Sequence, residues 1–442
     1  MFRPTRRYRL DSTLLALGLM VLLLSACDMP SDGGSVGRDK VPRAKPTGRR
    51  VSGKETRGVE TTGVTASDSE AAPRPASEEI AGGSSLANWP VFRGTASATG
   101  VAESTLPATP QLLWKFSVEK ETGQKSGFES TAAIVDGVVY VGDDSAHFFA
   151  IDLASGKLLW KIENEAGFTA SAAVHDGRVF IGDNDGVFYC LDAKDGRVLW
   201  KHVTENQINS SATFFEESVI VGSQDGTLHR FAQDDGRIAW KYLVPVDGGI
   251  QCSPAISEGR TFVAGCDARF HTIDLLDGES KAVIEIGGPA LSTPALSGEI
   301  AYCGTNSGEL LSIDWKNAKI LWRYSPRRRT EYRSSPAVTD KLVILGGRNK
   351  LVEAIDRKTG NVAWSFTTRG RVDGSPVVVG SRVFIGSGDG RLYAIDLDDG
   401  QSSWQFDAGG RFFASPAVAR GRLVIGNTDG VLYCFGSQEN AR

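Results

Sequence analysis

The chain has 442 residues, a formal net charge of −4 and six cysteines, with a pI near 5.9. That length could hold two or three ordinary domains. The mild acidity argues against a general nucleic-acid binder, which carries a strong basic excess, so no nucleic-acid partner is expected.

Arg3, Arg6, Arg7 and Arg9 form a basic head, and the run TLLALGLMVLLL (13–24) that follows is apolar but short for a membrane span. Residues 1–26 therefore read as a signal peptide. Leu24, Ser25 and Ala26 ahead of Cys27 resemble the lipobox of bacterial lipoproteins. The resemblance implies lipidation of Cys27 and a tether to the outer membrane on its periplasmic side. Asp28 resembles an inner-membrane retention signal, which keeps that membrane as the alternative. Residues 27–88 are rich in Ser, Gly, Pro and Thr without hydrophobic period, the composition of a disordered linker.

From 112 to 435 the chain repeats. The strings AIDLASGKLLW (150–160), CLDAKDGRVLW (190–200) and AIDRKTGNVAW (354–364) share small, Asp, Gly and Trp positions. The tryptophans fall at Trp160, Trp200, Trp240, Trp322, Trp364 and Trp404, with Ala282 in the matching place of TIDLLDGESKA. The steps are 40 or 42 residues, a period that marks an array of stacked units. Within one unit, GSPVVVGSRVFIGSGDGRLYAIDLDDGQSSW (374–404), four short β-branched or alternating runs are joined by Gly, Asp and Ser turns. Helical periodicity is absent from 112–435, so the fold class is all-β and the architecture a β-propeller. Units begin at Thr131, Ser171, Ala212, Ser253, Thr293, Ser335, Ser375 and Ser415, which makes eight blades in one domain over 89–442. The last unit stops before a tryptophan strand, and LLWKFSV (112–118), with Trp114, is left to complete it and close the ring. Residues 1–111 are on this reading dispensable to the fold. Prolines early in first strands (Pro254, Pro294, Pro336, Pro376, Pro416) place those strands innermost with a free edge on the channel.

The repeat Ala-x-Asp, Gly four on and Trp four further resembles the tryptophan-docking motif of quinoprotein (PQQ-type) propellers. Eight such units behind a lipobox resemble the BamB-type lipoproteins of the outer-membrane β-barrel assembly machinery. The resemblance implies inter-blade docking by Trp114, Trp160, Trp200, Trp240, Trp322, Trp364 and Trp404. A quinoprotein enzyme would stack PQQ on a disulfide of adjacent cysteines beside calcium; here no two cysteines are adjacent, and no C-x-x-C-H haem attachment occurs. Cys252 and Cys266 remain a candidate bridge across one hairpin. The five histidines lack metal-ligand spacing, and turn carboxylates such as Asp143, Asp144, Asp183, Asp185, Asp225, Asp389 and Asp429 are explained by backbone requirements. No catalytic residue, metal or cofactor is therefore expected. The reading is a monomeric, membrane-anchored scaffold for an envelope protein partner, with a β-barrel assembly complex as one candidate. A PQQ-dependent dehydrogenase and a surface ligand-binding propeller are the alternatives.

Candidate partner-binding residues cluster in loops of the sixth to eighth units: Arg327, Arg328, Arg329 and Arg333 in SPRRRTEYR (325–333), then Arg369 and Arg371, with Arg348, Lys350 and Arg411 nearby. Asp143, Asp144, Glu163, Glu165, Asp183 and Asp185 occupy the first two units, predicting a charge-polarised face. The loops that correspond to the family's partner-binding loops, 244–251 and 287–292, lack its leucine, arginine and paired-aspartate pattern.

Overall fold

The computed structural model describes residues 88–245 and 248–438. Cys27, the signal peptide and nearly all of the linker lie outside the described residues. The described chain folds into eight antiparallel sheets of consecutive strands, one per repeat, beginning at 133, 173, 213, 255, 295, 337, 377 and 417. The pattern of each strand follows from its place. Middle strands such as Arg178–Gly182 and Val187–Asp192 are buried at almost every position because neighbouring blades cover both faces. Outermost strands such as Leu158–Glu163 alternate between half-buried and exposed.

In the eighth sheet the outermost strand is Gln111–Ser117, antiparallel to Val431–Gly436 with Trp114 opposite Cys434. The ends of the domain thus share one blade. Val118, predicted to end this strand, instead opens a short helix, Val118–Thr122, stopped by Gly123 at φ +77°. Helix is otherwise missing among the named elements.

Around the channel, one hydroxyl per blade accepts the backbone N–H of its counterpart in the preceding blade. Thr131 N–H donates to Ser171, and the relay runs through Ser211, Ser253, Thr293, Ser335 and Ser375 to Ser415, whose N–H returns to Thr131. The eight distances lie between 2.9 and 3.2 Å. Blade three joins through Ser211, one residue before the start assigned from the repeat. A hydroxyl is suited to this place because it accepts one bond and keeps a proton to donate.

The expectation that residues 1–111 are dispensable needs correction. Residues 89–104 form a strap across the channel, bonded to inner strands of six blades. Trp89 exchanges two backbone bonds with Ile134, and the carbonyls of Pro90, Ala96, Ser97, Thr99 and Gly100 accept from Val174, Ile256, Leu296, Val338 and Val378. Val101–Ala102 pairs in parallel with Val377–Val379, and the Ser104 hydroxyl accepts from Gly421 in blade eight. The inner edges of these six blades are thereby occupied, which satisfies donors that a dry channel would leave unmet. Trp89, Val91, Ala98 and Ala102 are buried. Arg93 is also buried; one guanidinium N–H reaches the Pro336 carbonyl at 3.1 Å, and burial pulls its pKa down to about 9.

Candidate functional site

The repeat residues form the seams between blades. A one-residue bulge precedes each docking tryptophan, as between Leu112 and Trp114 or Val198 and Trp200, and re-aims the ring toward the next blade. The indole N–H of Trp114, Trp160, Trp200, Trp240, Trp322 and Trp364 donates to the carbonyl of Leu153, Ala193, Gln233, Leu275, Arg357 and Leu397, respectively, at 2.8–3.0 Å. Trp404 meets Phe435 of blade eight edge-on at 5.5 Å. The turn glycines adopt φ near +70°, and each lies flat beneath a ring: a Cβ on Gly156 would sit 2.6 Å from Trp114. Glycine is required there both for its conformation and for the close approach.

Other chemistry-bearing residues serve the turns and strands. Asp143 accepts the backbone N–H groups of Ser145, Ala146 and His147 and bonds the His147 ring at 2.9 Å. His271 bridges Asp267 and the Tyr242 hydroxyl, both at 2.9 Å. Among the described residues no group of three His, Cys, Asp or Glu side chains could hold a metal ion. Cys190, Cys252, Cys303 and Cys434 are buried free thiols, so the bridge considered between Cys252 and Cys266 does not form. Cys252 instead accepts the Ala264 N–H at 3.3 Å.

The strands alternate in direction, so the turns between second and third strands share one face with the loops that link blades; we call this the loop face. The strap closes the opposite end, where Asn88 meets Asp136 in the first turn of blade one. The channel is therefore a well that opens on the loop face, with a cavity of about 160 Å³. Its wall is the hydroxyl ring, Phe92 of the strap lies inside it, and Glu129, Arg333, Asp373 and Phe413 belong to its rim. Residues of the strap escaped the reading of the sequence although Trp-Pro-Val-Phe-Arg (89–93) is an apolar cluster too dense for a linker.

On this face the loop 325–336 is pinned from within. Tyr332 is fully buried and its hydroxyl donates to Glu353 at 3.2 Å, while the Thr330 hydroxyl accepts the Asn349 N–H at 2.9 Å. Pinning these two leaves Arg327, Arg328 and Arg329 exposed. The other predicted arginines divide into two groups. Arg348 grips Asp373 and Glu331 at 2.8 and 2.9 Å, Arg371 holds Asp373 at 2.7 Å and stacks over Phe413, and Arg333 lies 3.9 Å from Glu331. Their charge is partly balanced. Arg369 is exposed, like Arg327, Arg328 and Arg329.

The acidic sector is smaller than its sequence count. Asp143 and Asp183 are buried in their turns. Burial, reinforced by the charge of Glu129, pushes the Asp144 carboxyl up to about 7. Glu163, Glu165 and Asp185 remain at the surface, Asp185 on the second-to-third-strand turn of blade two.

The family model described as outer membrane protein assembly factor BamB matches residues 98–213, 150–293, 205–349 and 348–439. The assembly factor BamB of Yersinia pestis is 25% identical over 122 residues, covering 27% of this chain and 30% of that protein. Quinohemoprotein alcohol dehydrogenase ADH IIB of Pseudomonas putida is 31% identical over 140 residues, covering 27% and 20%. The chain thus spans less than a third of either relative. Among solved structures, BamB from Moraxella catarrhalis superposes with a TM-score of 0.63 at 19% identity over 75% of this chain and 98% of that one. Quinohemoprotein alcohol dehydrogenase from Comamonas testosteroni gives 0.68 at 16% identity over 79% and 80%. These similarities establish the eight-bladed fold, and with the family model matched from 98 to 439 the chain belongs to the family of the outer membrane protein assembly factor BamB.

Proposed function

We propose that the protein is a non-catalytic, lipid-anchored scaffold of the bacterial envelope that captures a protein partner on its loop face, and that it serves outer-membrane β-barrel protein assembly as the name of its relatives describes. The observation that carries this reading is the pinned loop 325–336, which holds Arg327, Arg328 and Arg329 in solvent. Arginine is enriched at binding hot spots because its planar guanidinium recognises carboxylates through several donors. Asn88 joins the domain at the end opposite the loop face. No helix among the described residues is long and apolar enough to cross a membrane. On the lipobox resemblance, the acylated Cys27 attaches the protein to the outer membrane, with Asp28 favouring inner-membrane retention as the alternative.

The quinohemoprotein relatives favour a second reading, PQQ-dependent oxidation. Against it stand the size of the well, about 160 Å³ where small-molecule pockets run to roughly 300–1,000 Å³, and a sequence in which no two cysteines are adjacent. The two readings separate in one experiment. The full chain, reconstituted with PQQ and calcium, should show no stoichiometric quinone binding and no dye-linked alcohol oxidation, while used as bait in solubilised membranes it should retain a defined envelope protein. Catalytically competent PQQ binding would overturn the scaffold reading.

A further inference from the structure

The seam between blades four and five departs from the other seams at three positions at once. Ala282 replaces the docking tryptophan. Trp315 occupies the position held by Leu153, Ala193, Gln233, Leu275, Arg357 and Leu397 at the other seams. Ala318 replaces the turn glycine. The three changes fit together. Trp315 reaches back to Phe262 of blade four at 5.0 Å, the contact that Trp200 makes with Phe180 at 5.9 Å within blade two. Its indole N–H donates to Gly298 of its own blade at 3.1 Å. With no ring arriving from position 282, a methyl group at 318 has nothing to strike, whereas a Cβ on Gly360 would lie 3.0 Å from Trp322.

This rerouting leaves a cavity of about 330 Å³ where the other seams hold a docked indole. That volume lies at the lower end of the roughly 300–1,000 Å³ of small-molecule sites. Ala282, Thr272 and Trp315 line it. Thr272 is 3% exposed, and its hydroxyl has no hydrogen-bond partner among the described residues. A buried polar group left unmet in this way calls for an explanation, and a ligand beside it is one.

The charges around the cavity narrow the class of ligand. Arg260 is bonded to Asp274, Lys281 lies 3.4 Å from Asp277, and Lys316 holds Glu258 at 2.9 Å and Glu299 at 2.6 Å. Every cation there already has a carboxylate, so an anion would find no free partner among an excess of acidic groups, and each carboxylate, Glu279 at 3.6 Å from Lys281 included, already holds a cation that a cationic ligand would have to displace. What remains is a set of fixed donors and acceptors beside an indole. A neutral polyhydroxylated ring matches it, since its hydroxyls both donate and accept and its C–H face is apolar.

We propose that the cavity between blades four and five binds a neutral saccharide unit, with Trp315 against its C–H face and Glu258, Arg260 and Lys316 toward its hydroxyls. The site lies away from the loop face and is independent of the scaffold reading. The test titrates the full chain with cellobiose, with N,N′-diacetylchitobiose and with N-acetyltryptophanamide, followed by saturation-transfer NMR and tryptophan fluorescence. Saturable binding of at least one disaccharide is expected, weakened about tenfold, roughly 1.4 kcal/mol, by Ala282→Leu, which fills the cavity, and by Lys316→Ala. Lys316 is at the surface, so its variant keeps the test valid should Ala282→Leu misfold. No saturable signal from either disaccharide would overturn the proposal. So would wild-type affinity in a folded variant, or binding of the indole amide alone, which would make the cavity a socket for a protein side chain.

Discussion

Trp89 tests whether the strap is part of the propeller. Its side chain is 2% exposed, and a Cβ on Gly94 would fall 2.7 Å from the ring, so the indole is enclosed by the strap as well as by blade one. Replacing a buried tryptophan by alanine costs about 3–5 kcal/mol. The indole N–H has no acceptor among the described residues, an unmet donor that already costs the native state about 1–3 kcal/mol and that the substitution removes. Trp89→Ala should therefore destabilise by about 2 kcal/mol, the difference of the two mid-range values, with both backbone bonds to Ile134 retained. Urea unfolding followed by circular dichroism should show a lower midpoint at unchanged slope. Leu159→Ala, at a site 53% exposed on an outermost strand, is the control and should shift by no more than about 0.5 kcal/mol. Equal midpoints for the two variants would refute the assignment of the strap to the core.

Other outcomes follow from the same geometry. Gly278→Ala should destabilise by more than the roughly 1 kcal/mol of an ordinary glycine-to-alanine change at positive φ, because the new methyl would lie 2.7 Å from Trp240; thermal melting checks it. Asp144→Asn should stabilise the fold at pH 8 and lose that advantage by about pH 4. The native carboxyl titrates near 7 and the unfolded one near 3.8, so the unfolded state releases its proton first and wild-type stability falls as pH rises between them; equal gains at pH 4 and pH 8 would contradict this. A chain beginning at Leu86 should melt like the full chain, whereas one beginning at Leu106 should melt lower; coincident melts would return the strap to the linker. Cys27→Ala should move the protein from the membrane to the soluble fraction, and retention through high-salt washes would rule out the lipid anchor.

What could be read from the sequence and what could not divides along the range of the contacts. Trp160, Trp200 and Gly196 repeat because each seam solves the same local packing problem, so spacing alone reveals them. The strap's backbone bonds the inner strands of six blades at positions scattered from Ile134 to Val378, and a segment used once has no period. Ala282 was visible as an irregularity, but that Trp315 reaches back across the seam to Phe262 and leaves a cavity beside Ala282 depends on which side chains meet there. Likewise the arginine cluster was legible as composition. That Asp373 and Glu331 balance Arg348 and Arg371, leaving Arg327, Arg328, Arg329 and Arg369 exposed, follows from the loop geometry.

The most direct test of the scaffold reading is the triple charge reversal Arg327→Glu, Arg328→Glu and Arg329→Glu, assayed by capture of the envelope partner from solubilised membranes at low and at high salt. The three side chains are exposed on the loop face, so the variant should fold and melt like the wild type. It should capture the partner more slowly at low salt, and the difference should shrink as salt screens the field. Unchanged capture at low salt by the folded variant would contradict the account.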